Sequence, residues 1–109
     1  MTVSIETLIR ALTGKPVLFK LGTCVATPGA LTALQAEGIK PMDLLKRHAT
    51  GDWGDIAKED RGANERSVED GSRILSVYKL TKATVWIITD GDDDDGVRHA
   101  TTVMLPEDY

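Results

Sequence analysis

The sequence predicts an α+β fold in which about three N-terminal helices pack on a C-terminal, three- to four-stranded antiparallel sheet. Two observations predict it. Residues up to about 70 combine helical spacing of apolar side chains with helix start and stop signals, whereas the last third changes to short runs rich in Ile, Val, Thr, Tyr and Trp. A chain of 109 residues suits one core, so residues 1–109 are expected to form a single domain.

The first two helices are predicted from spacing and capping. Apolar side chains at three- and four-residue intervals in the first dozen residues indicate a short amphipathic helix that Gly14 ends. In "TPGALTALQAEGIKP", Thr27 is a good N-cap, Pro28 occupies the first helical position, and Gly38 suits a left-handed C-terminal residue. Between these helices, "VLFKLGTCVAT" predicts one strand, or two short extended pieces around Gly22.

Two further helices follow. Pro41 opens "PMDLLKRHAT", whose last turn carries three basic residues where cations interact well with exposed carbonyl groups. Asp55 is positioned to cap a helix over about residues 56–70, which Gly71 ends. This helix has few large apolar residues and is expected to lie on the surface. Two of its charge pairs have i,i+4 spacing: Arg61 with Glu65, and Arg66 with Asp70.

The last third predicts an antiparallel meander. "SRILSVYKL", "ATVWIITD" and "ATTVMLP" have the composition of strands, and the connection near Thr81 is short enough for a hairpin. The middle run carries apolar side chains on both faces, with Val85 and Ile87 on one side and Trp86 and Ile88 on the other. We therefore expect helices on one face of the sheet and partial cover on the other.

Composition and charge limit the classes of function. The single cysteine, Cys24, excludes an intrachain disulfide and a zinc-ribbon or iron–sulfur framework, and it predicts a cytoplasmic protein. No signal peptide or membrane-spanning run is recognisable. Residues 1–50 carry six Lys/Arg against three Asp/Glu, whereas residues 51–109 carry seven against fourteen, a net charge of −7. This acidic half argues against direct nucleic-acid binding and suits a basic partner.

The stretch "RHATGDWGDIAKED", residues 47–60, is a candidate partner-binding surface through His48, Asp52, Trp53 and Asp55. A mechanical interpretation competes with this one. His48 ends one helix, Gly51 takes a left-handed conformation, Trp53 fills the core and Asp55 starts the next helix. Of these residues, His48 is the one that a helix–turn–helix junction alone does not require.

The acidic loop resembles a metal site in part. Asp90, Asp92 and Asp94 have the spacing of the first three EF-hand ligands, but the sixth position is Asp95 rather than Gly and the twelfth is Thr101 rather than Glu. An EF-hand is therefore excluded, and these three carboxylates are candidates only for a weak calcium or magnesium site. The alternative is a solvated hairpin loop whose charge deters edge pairing.

No cofactor is expected. His48, His99 and Cys24 lack the paired spacing of transition-metal ligands, and "TGDWG" has neither the lysine nor the preceding strand of a phosphate-binding loop.

A metal-independent ribonuclease of the barnase, colicin or RelE-like kind is the alternative to a binding protein. Such an enzyme needs a general base or acid, a cation for the phosphate and hydroxyl groups that position it. His48, Arg73, Ser76 and Thr101 supply those types, and Thr102 is a further hydroxyl. The isoelectric point near 5.1 is unfavourable for binding RNA.

Several motifs together resemble one family. "HATGDWGD", "SRILSVY", "WIIT" and "TTVMLPEDY" are similar to motifs of small bacterial proteins found on plasmids and integrated elements, which are labelled plasmid-related or as a type I restriction enzyme modification subunit. The resemblance covers about residues 25–109 and implies no established activity. The family has a short turn where this chain has "DGDDDDGVRHA", with Arg98 in the region of the family's turn arginine.

The label of modification subunit conflicts with the chain itself, because a methyltransferase needs a cofactor-binding sheet of about twice this length. The resemblance instead implies a small cytoplasmic accessory protein of mobile genetic elements. We expect it to act non-catalytically, by binding a macromolecular protein partner without membrane association. Its acidic surface suits mimicry of nucleic acid toward a basic, nucleic-acid-binding protein.

Overall fold

The computed structural model describes residues 2–109, which form four α-helices, four strands and a short 3-10 turn. In chain order these are α1 (Ile5–Thr13), β1 (Thr23–Ala26), α2 (Pro28–Ala36), α3 (Pro41–Ala49), α4 (Lys58–Asp70), β2 (Ile74–Lys79), β3 (Thr84–Thr89), β4 (Ala100–Met104) and the 3-10 turn (Pro106–Asp108). The predicted α+β class is confirmed. No helix within residues 2–109 combines the length and the apolar character needed to cross a membrane.

The sheet is mixed, with strand order β1-β4-β3-β2. The predicted meander of β2, β3 and β4 is antiparallel, as expected. The short strand β1 adds to the far side of β4 and runs parallel to it, which differs from a purely antiparallel sheet. Because β1 and β4 are separated by most of the chain, no local pattern in the sequence indicates this pairing.

Local capping signals place the first three helices as predicted. The Ser4 hydroxyl accepts a hydrogen bond from the Thr7 amide at the start of α1. Gly14 ends that helix with a φ of 66°. Thr27 caps α2 by accepting the Ala30 amide, and Gly38 follows that helix at φ 68°. These positive φ values are ones that glycine adopts without steric cost.

The start of α4 differs from the prediction. The helix begins at Lys58 after Ala57, and Asp55 is not its cap, because the Asp55 carboxylate instead accepts the Lys79 amide of β2 at 2.9 Å. The predicted i,i+4 ion pairs of α4 are also not formed. Within residues 2–109, the one Lys/Arg–carboxylate ion pair closer than 4 Å joins Arg47 to Asp52, and His99 Nε2 lies 2.6 Å from the Asp93 carboxylate.

The two faces of the sheet have different surroundings. We call the face that carries Val85, Ile87 and Thr89 of β3 the helix face, and the opposite one, with Trp86 and Ile88, the free face. Side chains on the helix face are almost fully buried against the helices. On the free face, Ile88 is buried but Trp86 is only partly covered. The expected unequal cover is therefore confirmed.

The loop after α3 covers the outer edge of β2. The Val77 amide donates to the Trp53 carbonyl at 3.1 Å, and the Val77 carbonyl accepts the Asp55 amide at 2.6 Å, so Gly54 forms a parallel bridge with Val77. The Asp55 carboxylate accepts a hydrogen bond from the amide of Lys79, the next residue of β2 whose backbone N–H points away from β3. The "GDWGD" stretch thus acts as a short additional strand.

The same edge is completed by a side chain of α4. The Asn64 Nδ2 group donates to the Leu75 carbonyl at 2.7 Å, and Asn64 Oδ1 accepts the Leu75 amide at 3.2 Å. A carboxamide has the donor and acceptor of a peptide group, so Asn64 substitutes for a neighbouring strand at this position. Through these contacts β2 is closed to pairing with another chain.

Gly54→Ala should be far more destabilising than Gly38→Ala. Both glycines have a positive φ, at 77° and 68°, so alanine costs about 1–2 kcal/mol at either position. A Cβ at Gly54 would in addition overlap the Val77 carbonyl oxygen, whereas nothing lies within 4 Å at Gly38. We expect a further loss of about 2–3 kcal/mol at Gly54, measured by urea unfolding. Equal losses would contradict the role given to this bridge.

Candidate functional site

The His48 side chain lies in the core. It is 0% exposed in the last turn of α3, where its ring contacts the edges of Phe19 and Trp53 at centroid distances of 5.2 and 6.1 Å. Its spacing from Leu44 and Leu45 explains this position, because residues three and four apart share one face of a helix. In the basic last turn of α3, Arg47 therefore faces solvent and His48 faces the core.

A chain of hydrogen bonds runs from His48 across the helix face. His48 Nδ1 lies 2.6 Å from Ser76 Oγ, and Nε2 lies 2.8 Å from Thr89 Oγ1. Thr89 Oγ1 is in turn 2.8 Å from Thr101 Oγ1, and the Thr101 hydroxyl donates to the Leu21 carbonyl at 2.7 Å. The chain joins α3 to β2, β3, β4 and the segment that precedes β1.

The Leu21 carbonyl determines the direction of every proton in this chain. A carbonyl only accepts, so the single hydroxyl proton of Thr101 is committed to Leu21, and the bond from Thr89 must be donated by Thr89. Thr89 then has only lone pairs left for His48, whose Nε2 must carry a proton. Neutral His48 therefore accepts at Nδ1 from the Ser76 hydroxyl.

Burial keeps this imidazole neutral. Desolvation, together with a smaller contribution from the positive charge of Arg98, lowers the pKa of His48 to about 3. Among residues 2–109, every buried side-chain nitrogen and oxygen has a hydrogen-bond partner. Both ring nitrogens of His48 are occupied by protein groups, so neither is available to a substrate.

The structure brings together only part of the set proposed for a ribonuclease. His48, Ser76 and Thr101 do share one network, but each is 0% exposed and none of them faces a cavity open to RNA. Arg73 lies elsewhere, exposed, with its guanidinium bonded to the Tyr109 hydroxyl and 5.6 Å from the centre of that ring. Thr102 lies on the free face. The expectation that His48 is an accessible base is wrong because α3 turns it inward.

Two of the four partner-binding candidates are also buried. His48 is fully covered and Trp53 is 4% exposed, so both contribute to the core rather than to a surface. Asp52 is exposed and accepts a hydrogen bond from Arg47 Nε at 2.7 Å, which holds the pKa of its carboxyl below the usual range. Asp55 is exposed but committed to the edge of β2.

Arg98 is a structural cation that sequence patterns did not identify as such. It is 8% exposed, and its guanidinium donates to the carbonyls of Ser67, Ser72 and Asp90 at 2.8, 2.7 and 3.0 Å. It also lies 5.6 Å from the centre of the Phe19 ring. Arg98 therefore ties the end of α4 to the loop before β4, where exposed helix carbonyls attract a positive charge.

Seven exposed carboxylates surround this tie. We call the set the acidic end, and its members are Glu69, Asp70, Asp90, Asp92, Asp93, Asp94 and Asp95. The Asp92 amide donates to the Gly71 carbonyl at 2.7 Å, which joins the loop to the end of α4. Asp93 orders the loop tip, and the amide of Val97 together with His99 lowers the pKa of its carboxyl. The long acidic loop is thus folded against the domain.

The structure does not assemble the candidate metal ligands, either in the acidic loop or elsewhere. Among residues 2–109, no group of three or more His, Cys, Asp and Glu side chains is arranged to hold a metal ion. Asp90, Asp92 and Asp94 therefore do not form a coordination site, and His48, His99 and Cys24 do not converge. His48 is buried, whereas His99 pairs with Asp93 on the surface at 2.6 Å.

No protein-family model, curated protein or solved structure matches the chain. The resemblance to plasmid-borne proteins accordingly stays a prediction. Functional inference then depends on which groups the fold exposes and which it encloses. It encloses the His48 imidazole and the Ser76 and Thr101 hydroxyl groups, and it exposes the carboxylates of the acidic end.

Thr89→Val should be strongly destabilising, whereas Thr102→Val should be nearly neutral. Valine has the shape of threonine, so the first change removes only the hydroxyl that joins His48 to Thr101 and leaves a buried N–H without a partner. The expected loss is about 2–4 kcal/mol in urea unfolding. Thr102, one residue along β4, makes no side-chain hydrogen bond with residues 2–109, and its substitution should stay within about 0.5 kcal/mol. Similar losses for the two variants would contradict the network.

Proposed function

We propose that this protein is a non-catalytic accessory protein that binds a basic macromolecular partner through its acidic end. The observation that carries the proposal is the grouping of seven exposed carboxylates on one connected surface. Four of them follow one another in the loop, and two more lie in the last turn of α4, which Arg98 holds against that loop.

The cation at the centre of this surface is enclosed. Arg98 directs its N–H groups to backbone carbonyls, so its charge supports the fold while the carboxylates around it face solvent. Lys20 shares a shallow cavity of about 200 Å³ with Glu69 and Asp92 and offsets a fraction of the charge. A surface of this sign attracts a basic protein and increases its association rate.

The chemistry of such a partner follows from the charge pattern. Closely spaced negative groups on a folded scaffold resemble a run of phosphates, and proteins that bind phosphates present Lys and Arg in complementary positions. A nucleic-acid-binding protein is therefore the proposed partner. The resemblance to proteins of plasmids and integrated elements suggests that the partner is a host protein that acts on foreign DNA. The accessory protein would occupy the DNA-binding surface of that host protein in competition with nucleic acid.

The ribonuclease alternative receives less support. General acid–base catalysis needs a group within hydrogen-bond reach of the substrate, with a pKa near the working pH. His48 has its two nitrogens bonded inside the core and a pKa of about 3. The second histidine, His99, is exposed but lies against Asp93 in an acidic environment that repels RNA.

Two matched variants test the acidic end. Asp94→Asn with Asp95→Asn removes two charges whose carboxylates make no hydrogen bond with residues 2–109, so the fold should be unaffected. Asp93 is left intact because it orders the loop. Glu59→Gln with Asp60→Asn removes the same charge from the first turn of α4 and serves as the control. The first pair should weaken partner binding by about tenfold, or about 1.4 kcal/mol, and the control by much less.

The measurement uses bacterial DNA-binding proteins as the probe. Proteins that a DNA column retains are passed over the immobilised wild-type chain and over each double variant, and the retained proteins are then tested for inhibition of DNA binding. We expect the wild type and the control variant to retain DNA-binding proteins and the Asp94 and Asp95 variant to retain far less of them. Strong salt should release the retained proteins. Retention that is independent of salt and of the loop charges would contradict the proposal, as would RNA cleavage that Ser76→Ala abolishes.

A further inference from the structure

The outer edge of β1 presents peptide groups without partners. Thr23 and Thr27 donate their amides toward the β4 side at 2.9 Å each, so the alternate residues Cys24 and Ala26 face outward. The backbone N–H and C=O groups of Cys24 and Ala26 make no hydrogen bond with another part of residues 2–109. A strand with such a free edge is a template for pairing with another strand.

The two edges of the sheet differ in this respect. At β2, the outward amides and carbonyls of Leu75 and Val77 and the amide of Lys79 are bonded to Trp53, Asp55 and Asn64, as described above. At β1, the four residues Thr23–Ala26 contain no lysine, no proline and no bulge, which are the devices that usually protect an edge. The fold covers most of the β2 edge and leaves the β1 edge available.

We propose that β1 pairs antiparallel with β1 of a second copy of this chain, about a two-fold axis at Val25, to give a continuous eight-stranded sheet. In this register Cys24 exchanges both backbone hydrogen bonds with Ala26 of the partner subunit, and Ala26 does so with Cys24 of the partner subunit. The outward peptide groups of Cys24 and Ala26 then have hydrogen-bond partners on both chains. The two-fold symmetry limits the assembly to a dimer.

Side chains favour a second copy over a charged peptide. Val25 is on the free face and 47% exposed, and at the two-fold axis it would contact Val25 of the partner subunit in a non-hydrogen-bonded pair, where side chains are closest. The strand carries no charge, so pairing with itself places no like charges opposite one another. A basic peptide would find no carboxylate within β1. A second copy of β1, in contrast, offers matching backbone groups and uncharged side chains.

The dimer should be weak and concentration-dependent. A four-residue strand supplies few contacts, well below the roughly 1,200 Å² of a standard interface. Each chain has a net charge of −4, so salt should strengthen the dimer by screening repulsion. Salt has the opposite effect on binding of a basic partner, and the two proposals can therefore fail independently.

Crosslinking tests the register. In a Cys24→Ser background, Val25→Cys places two thiols at the two-fold axis, where Cβ atoms of a facing pair lie about 4.5–5.5 Å apart. The control, Thr23→Cys, is on the same face of β1, but its two copies are four residues out of register, roughly 13 Å apart. Under mild oxidant at several hundred micromolar protein, the Val25→Cys chain should form a disulfide dimer at least tenfold faster. Equal rates, or no dimer from either variant, would overturn the proposal.

A proline tests the backbone bonds. Ala26→Pro removes an outward N–H and no bond to β4, so the fold should persist while the dimer is lost. Sedimentation of the wild type and the variant up to about 1 mM, with far-ultraviolet circular dichroism as the control for folding, measures this. A wild type that stays at 11.8 kDa throughout overturns the proposal, as does a folded proline variant that dimerises equally well.

Discussion

The two hydrogen bonds of the His48 ring are the interaction on which the rest of the arrangement depends. They attach the last turn of α3 to β2 through Ser76 and to β3 through Thr89, and Thr89 continues the chain to β4. Because Trp53 follows shortly after His48, fixing the end of α3 also fixes where the next loop meets β2. A polar network enclosed in a core stabilises one arrangement, since each alternative leaves a group without a partner.

Arg98 connects this core to the surface. Its charge contributes to the lowered pKa of His48, and the same guanidinium holds the end of α4 beside the acidic loop. Burial lowers the pKa of Arg98 as well, while Asp92 and Asp70 raise it, so the acidic end stabilises the cation that organises it. The buried His48, Ser76 and Thr101 side chains thus serve the fold, and we propose that recognition depends on the exposed charges and on the open edge of β1.

Local signals in the sequence were sufficient for much of the fold and for little of the site. Thr27 and Gly38 acted as the predicted helix ends because their effects depend on adjacent residues. Asp55 was assigned to the wrong partner, because a carboxylate that can cap a helix can equally accept an amide from a distant strand. The inward position of His48 was readable from its spacing to Leu44 and Leu45, whereas the role of Asn64 was not, since it depends on β2 lying beside α4.

The ionisation state of the His48 ring can be measured directly. Nitrogen-15 spectra of the imidazole, recorded from pH 7.5 to pH 4.5, distinguish the two neutral tautomers and the cation. We predict a neutral ring protonated at Nε2 throughout this range, with slow exchange of that proton, because burial and Ser76 and Thr89 hold it in place. A His48 ring that titrates near 6.5, the ordinary value for histidine, would contradict the account.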